Sequence, residues 1–452
     1  MTLRLVVVAA LVAGWSALGV GVAATYNAHT TADEPEYLMT ALSLAEDRSL
    51  DVSDERLARR YRPFHKALLP VQAQRRSDGS RISPHDPLLA AVLALPMALG
   101  GWIAAKLMLA ALAGLLAAVT LWTSVRRFAL AERTATITVL AFAGAAPLSV
   151  YGTQVYPELP AALAVVTGIA CLTGRHLQRA TVLGAIATVV ALPWLAVKYA
   201  PVSAVLAAWL LVQLWRDGSQ RRRLGWVIVV FAVAGATYLA AHQAWYGGWT
   251  VYAAGDHFVA GEFSVVGNAP NPAGRSVRLV GLLVDRNFGL AVWQPLYLAA
   301  PVAFGALARV RPPGWALLSA LVAAGWLNAT FVALTMHGYW WPGRQLVVVL
   351  PAVVLAVAWV AAGSSLMRNL IVLGGLVGAV DYGWLLVEGY AGRATWVVDF
   401  FDTTNPLVRV PMALLPDYQR SATADWALHA CWTLLVVALG LAAYRRARIR
   451  VT

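Results

Sequence analysis

A chain of 452 residues that is 60% hydrophobic and only 13% charged, with a mean hydropathy of +0.65, lies far from soluble globular usage, in which charged residues make up about a quarter. The net charge of +13 raises nucleic acid as a partner, but the cations sit in short clusters at the ends of apolar runs. That pattern orients membrane segments and argues against nucleic-acid binding.

The apolar runs are rich in Leu, Ala and Val and lack period-2 alternation, so they predict spanning helices rather than a barrel, and an all-α polytopic membrane protein. In chain order the expected spans lie near 4–25, 101–124, 133–152, 158–174, 180–196, 199–215, 224–243, 288–308, 314–334, 345–362, 369–388 and 426–444. Twelve spans place both termini on one side; eleven or thirteen are the alternatives. The first run is long enough to span, so it reads as a retained anchor rather than a cleaved signal despite Ala23 and Ala24 near its end. Pro193 and Pro201, with Lys198 between them, divide the 180–215 region into two spans or one broken helix.

The short connecting loops carry Arg126, Arg127 and Arg133, then Arg175 and Arg179, Arg216 with Arg221, Arg222 and Arg223, Arg309 and Arg311, Arg368, and Arg445, Arg446, Arg448 and Arg450. With Arg4 they hold 17 of the 35 Lys and Arg residues, but only Glu132 and Asp217 of the 22 acidic ones. These loops are expected in the cytoplasm together with both termini.

Three long segments fall on the opposite, extracytoplasmic face, near 26–100, 244–287 and 389–425. The whole of 1–452 then forms a single transmembrane domain with no separate soluble domain. In the first outer segment, Pro84-His85-Asp86-Pro87 leads into the apolar run 88–99, which stops at Gly100-Gly101. That run is too short to span and is expected to lie at the interface or re-enter. No internal repeat stands out.

The carboxylates of chemical interest follow the first span, in Thr31-Ala32-Asp33-Glu34-Pro35-Glu36-Tyr37. Thr31 with Glu34, or Asp33 with Glu36, fits a capping box, and Pro35 suits a first helical turn. A carboxylate fixed at a helix start is equally placed to accept a proton from an incoming hydroxyl. Glu158, in Tyr156-Pro157-Glu158-Leu159-Pro160, is an N-cap neighbour or an acceptor ligand, and could help hold a divalent cation. Lys106, Lys198, Arg286 and Arg344 lie at outer ends of spans, where they either snorkel or neutralise a lipid phosphate. Arg344 follows Gly338-Tyr339-Trp340-Trp341-Pro342-Gly343, whose rings could stack on sugar or line a prenyl groove. Asp285-Arg286 opens the eighth span, and Asp381 and Glu388 share a helical face.

Cys171 and Cys431 fall inside apolar runs and indicate neither a disulfide framework nor a zinc site. His176 belongs to the inner side, while His29, His65, His85, His242, His257, His337 and His429 fall outside or near the outer ends. His85-Asp86 is too generic to specify a metal, and these histidines are expected to be solvated loop residues.

An acidic pair just after the first span, a long outer loop with amphipathic pieces and about a dozen spans resemble the polytopic GT-C glycosyltransferases. That family takes sugar from a polyprenyl-phosphate donor, and its protein O-mannosyltransferase and lipid A aminoarabinose transferase branches are the most similar in size and pattern. The resemblance implies inverting transfer to a hydroxyl of an envelope glycan, glycolipid or protein at the extracytoplasmic face of the inner membrane. Asp33 and Glu34 become the catalytic candidates. Glu36, Glu158, Asp285, Tyr339 and Trp340 become substrate ligands, and Lys198, Arg344, Arg286 and Lys106 hold the donor phosphate. A divalent cation is a possible cofactor with no ligand set specified. The alternatives are a multi-pass transporter of a small solute or lipid-linked sugar, and a non-catalytic lipid-binding subunit.

Overall fold

The computed structural model describes residues 1–174, 176–255, 271–420 and 422–447. Arg175, His257, Arg448 and Arg450, with the middle of the 244–287 segment, lie outside the described residues. Within them the protein is all-α, with isolated bridges such as Ala28 with His65 and Asp51 with Ile82 in place of strands.

Every expected span contains a helix. Among the described residues, seven helices are long and apolar enough to cross a membrane: Leu88–Arg126, Val197–Arg216, Gly218–Ala254, Trp315–Val332, Arg344–Gly363, Ser365–Tyr390 and Thr423–Arg446. Thr2–Ala17, Glu158–Leu172, Arg179–Leu195 and Pro295–Val310 are shorter apolar helices. Such a set makes the chain an integral membrane protein, because helices satisfy their own backbone hydrogen bonds where lipid cannot. The region 180–215 resolves as two helices, with Lys198 in the single 3-10 turn Val197–Tyr199 between them.

The 88–99 run is helical and ends where expected: Gly100 and Gly101 leave the helical region, so Leu88–Arg126 is two helices joined at a kink there. Two runs differ from the expected continuous spans. The 133–152 run is helical over Glu132–Ala143, breaks around Pro147 and resumes as the short helix Leu148–Tyr151. The 288–308 run divides at Gln294, whose side chain accepts from the Leu296 N–H at 3.2 Å. Pro295 opens the second piece, where a proline costs no ladder bond.

Helix packing uses small residues, as expected where no water drives association. Thr2–Ala17 runs along Leu88–Arg126, and a Cβ at Gly114 would run into the Ala9 carbonyl. Ala299–Val310 pairs with Thr423–Arg446 through Gly305 against the Gly440 backbone. The latter helix buries only Asp425 and presents Leu434, Leu435, Val437 and Leu441 outward, as a lipid-facing helix should. By contrast, Leu350–Gly363 is buried on nearly every side and forms the centre of the bundle.

The basic loops gather at one end. Arg4 pairs with Glu132 at 3.0 Å, Arg127 donates to the Ala170 carbonyl at 2.7 Å, and Arg223 donates to the Leu177 carbonyl at 3.0 Å. The long segments meet at the other end, where Gln72 reaches the Ala32 carbonyl and Arg76 the Trp245 carbonyl. Gly305→Val, which drives a branched side chain into the Gly440 backbone, should destabilise the protein by about 1–3 kcal/mol, read as a lower unfolding midpoint in detergent.

Candidate functional site

The Glu34–Glu46 helix begins after an irregular turn, with Pro35 in its first turn. Glu34 is fully buried and accepts from the Thr31 N–H at 2.9 Å and the Val155 N–H at 2.7 Å. The first bond is the reaching-back half of the expected capping box. The second ties this helix start to the turn before Glu158. Burial pushes the Glu34 carboxyl up, with the Lys106 ammonium and those two N–H groups opposing it. Asp33, one residue earlier, therefore faces out of a rigid corner.

Three further elements bring charges to that corner. Glu158 starts the Glu158–Leu172 helix and has no exposed side-chain surface. Lys198 sits in the turn between two helices, its carbonyl held by the Asn328 amide at 3.1 Å and the preceding Val197 N–H held by Asp86 at 2.8 Å. Arg344 enters the central helix directly after Gly343, whose φ of +81° places it in the left-handed region that glycine occupies freely.

The four side chains form one ion network. Arg344 donates through Nη2 to Asp33 at 2.7 Å and through Nε to Glu158 at 2.8 Å. Lys198 Nζ donates to the same Glu158 oxygen at 2.6 Å. The guanidinium lies 3.9 Å from the centre of the Tyr156 ring and 5.0 Å from that of Trp340, a cation–π setting that suits a desolvated arginine. Two cations face two carboxylates, so the cluster is neutral at rest. Glu158 Oε2 and the Tyr199 hydroxyl are buried and without a hydrogen-bond partner, leaving two polar atoms for an incoming hydroxyl.

Asp33 is the most open of the charges, with about a quarter of its side chain exposed (26%). Burial pushes its carboxyl up, but the Arg344 guanidinium and the His85 ring outweigh that and hold it well below the usual carboxylate range. His85 Nε2 stands 3.6 Å from Asp33, and Nδ1 meets the Ser83 hydroxyl at 2.8 Å.

The other sequence candidates have separate surroundings. Glu36 is buried and pairs with Arg56. Lys106 is buried and donates to the His29 carbonyl at 2.5 Å. Asp285 receives the Asn287, Phe288 and Tyr418 N–H groups and stands 3.4 Å from His337. Arg286 donates to the Met412 and Leu415 carbonyls and lies 3.9 Å from Asp417. Tyr339 is exposed, while Trp340 flanks Arg344. Asp381 takes the Asn405 amide, and Glu388 takes Thr403 and Thr404, so both fasten the segment that follows their helix.

The described outer histidines depart from the solvated-loop expectation: His29 stacks on Trp102, His65 meets the Thr30 carbonyl at 3.1 Å and His429 the Tyr418 hydroxyl at 2.7 Å. His85 adjoins Asp33, and His242 is fully buried with Nε2 2.9 Å from Asp86. Asp86 also takes the Tyr238 hydroxyl at 2.9 Å. The only sequence signal for this brace was Pro84-His85-Asp86-Pro87, a rigid pair of polar groups ahead of an apolar run.

An apolar cavity of about 350 Å³, lined by Val189, Pro193, Trp194, Val197 and Phe231 among others, ends beside Lys198. It shares Val190 and Trp194 with a larger cavity of about 900 Å³ whose rim carries Arg48, Asp51 and Arg76.

Two outcomes follow. Glu158→Gln should cost about 3–5 kcal/mol, because it leaves two buried cations without their shared carboxylate; unfolding midpoints in detergent would measure it. Asp33, with a folded pKa below the unfolded value of about 3.9, contributes stability that is present above that value and lost as pH falls through the acid range. Glu34, shifted the other way, gains on acidification. Asp33→Asn should therefore flatten the loss of stability seen on lowering the pH from about 6 to 3, read by unfolding midpoints across that range.

No family model matches the sequence, and no curated protein does. Among solved structures, ArnT from Cupriavidus metallidurans bound to undecaprenyl phosphate is similar at a TM-score of 0.50 and 15% identity, over 98% of this chain and 77% of that one. The same protein in the apo state gives a TM-score of 0.48 at 15% identity, with the same coverage. At that identity the likeness concerns architecture: the chain shares the all-α membrane fold of that structure.

Proposed function

We propose that the protein is an integral-membrane glycosyltransferase that moves a sugar from a polyprenyl phosphate to a hydroxyl acceptor, at the extracytoplasmic face of the inner membrane and with inversion. The observation that carries this reading is the Asp33–Arg344–Glu158–Lys198 network, two carboxylates and two cations at one end of a helical bundle beside an apolar groove. Undecaprenyl phosphate, the lipid bound to the similar solved structure, has the chemistry this arrangement suits. The part of its chain next to the phosphate enters the groove that Val197 lines, the remainder staying in the bilayer, and its phosphate falls to Lys198 and Arg344.

In the transfer, the acceptor oxygen attacks the anomeric carbon while Asp33 takes its proton. The bond from that carbon to the phosphate oxygen breaks, and the phosphate leaves as an anion held by the two cations. One carboxylate suffices, since phosphate leaves without protonation. A phosphate arriving on Arg344 takes over the bond now made to Asp33. This releases the carboxylate from the guanidinium that depresses its basicity, so Asp33 becomes an effective base when donor is bound. Glu158, fully buried, keeps both cations in place, and its free oxygen with the Tyr199 hydroxyl orients sugar or acceptor. Tyr156 and Trp340 flank the guanidinium.

Asp33→Asn should lower transfer by about 10²–10⁴-fold while membranes retain the same amount of protein and of bound polyprenyl phosphate. Arg344→Lys and Lys198→Ala should raise the donor concentration needed for half-maximal rate more than that for the acceptor. The assay compares envelope glycans and lipids by mass spectrometry in cells with and without the protein, followed by transfer in purified membranes. Undiminished transfer by Asp33→Asn would remove it as the base, and solute uptake into vesicles that ignores the substitution would favour a transporter.

A further inference from the structure

Away from the Asp33 network, the first outer segment brings Asp47, Asp54 and Glu55 together, with one carboxylate oxygen of each within 4.8 Å of the other two. Asp47 follows the last turn of the Glu34–Glu46 helix, and Asp54 and Glu55 lie in the short Ser53–Leu57 helix. Chain order makes this meeting local, because the turn between the two helices folds back through Ser43, which donates to the carbonyls of Ser49 and Asp51.

Asp47 and Asp54 are exposed, and water alone would satisfy them. Glu55 is different: the residue is 2% exposed, and neither carboxylate oxygen has a hydrogen-bond partner. Neighbouring arginines do not supply one. Arg56 is turned to Glu36, and Arg60 holds Glu46 through two bonds of 2.8 and 2.9 Å. Among the described residues, none of the three acids makes an ion pair within 4.0 Å. A buried carboxyl whose side-chain neighbours are two more carboxyls is costly unless a proton shared with Asp54 or a cation completes it.

We infer that Asp47, Asp54 and Glu55 together bind one hard divalent cation of the calcium type. The donors are all carboxylate oxygens, with no imidazole or thiolate, which selects a hard ion over zinc or copper. Oxygens on opposite sides of a bound calcium are separated by about 5 Å, twice the metal–oxygen distance. Three ligand atoms within 4.8 Å of one another therefore fit around a single ion. The exposed sides of Asp47 and Asp54 leave its remaining positions to water.

The ion ties the end of the helix that begins beside Asp33 to the next short helix, one residue from the Arg56–Glu36 pair. Its role is to hold the first outer segment, and no step of the proposed transfer passes through it. The site therefore stands or falls independently of the transferase reading.

The test uses the purified full-length protein in detergent, stripped with chelator and titrated with calcium chloride. Calcium should raise the unfolding midpoint by several degrees and bind at one ion per chain by equilibrium dialysis. Glu55→Gln should abolish both effects. Asp54→Asn, an exposed change that the fold tolerates, should also abolish calcium binding and serves if Glu55→Gln does not fold. A calcium response absent in the natural protein, or equal in the variants, would overturn the site. A magnesium response at least as large at the same concentration would overturn the calcium assignment.

Discussion

Arg344 is a guanidinium almost removed from solvent, and such a group is stable only where its donors meet carboxylates in good geometry. One partner, Asp33, lies 311 positions away in the chain and the other, Glu158, lies 186 away. Satisfying this arginine therefore joins the first outer segment, the Glu158–Leu172 helix and the central helix at a single point. Lys198 adds a fourth element through the same Glu158 oxygen. The constraint works in both directions: the bundle must close for these charges to be paired, and once it closes, Glu158 cannot be removed without leaving both cations short of a partner.

The same pairing sets the chemistry. An ion pair that stabilises a resting carboxylate also lowers its appetite for a proton, so a base held by arginine is poor until the arginine finds another anion. In the proposed transfer, a leaving phosphate is such an anion. Glu158 differs from Asp33 in being wholly buried and in touching both cations, which makes it the fixed member of the cluster and Asp33 the exchangeable one. Exposure separates the two carboxylates more clearly than their partners do.

Much of the fold was legible because a bilayer permits few solutions: apolar runs of spanning length become helices, and arginine clusters mark one set of loops. The breaks were less legible. Gly100-Gly101 separates two helices where a stop was expected, but the break around Pro147 and the one at Gln294 interrupt runs whose hydropathy is continuous. For the site, charged residues at the ends of spans singled out Asp33, Glu158, Lys198 and Arg344, yet the same signal raised Lys106, Arg286, Asp285 and Glu36. The difference lies in tertiary pairing. Arg286 spends its donors on carbonyls of the 412–415 turn, Lys106 on the His29 carbonyl, and Glu36 on Arg56. No local pattern distinguishes a cation that meets a backbone oxygen from one that meets a carboxylate 311 residues away.

His85 and Asp86 show why the first outer segment is built so firmly. Asp86 binds the Tyr238 hydroxyl, His242 and the Val197 N–H at once, so one buried carboxylate fixes the backbone on which Lys198 stands. Its neighbour His85 meanwhile touches Asp33. Two adjacent residues thus connect the cation on one side of the cluster to the carboxylate on the other, with Pro84 and Pro87 limiting the freedom of the chain between them. A network in which partners exchange needs walls that do not move, since a shift of an ångström would let the resting pairs persist or dissolve the cluster altogether. The Glu34 carboxylate, clamped by two N–H groups, supplies the same rigidity from below. The acidic run that opens the helix therefore divides by depth: Glu34 and Glu36 are buried and bound to the protein, while Asp33, one residue nearer the solvent, is left with a bond that another anion can replace.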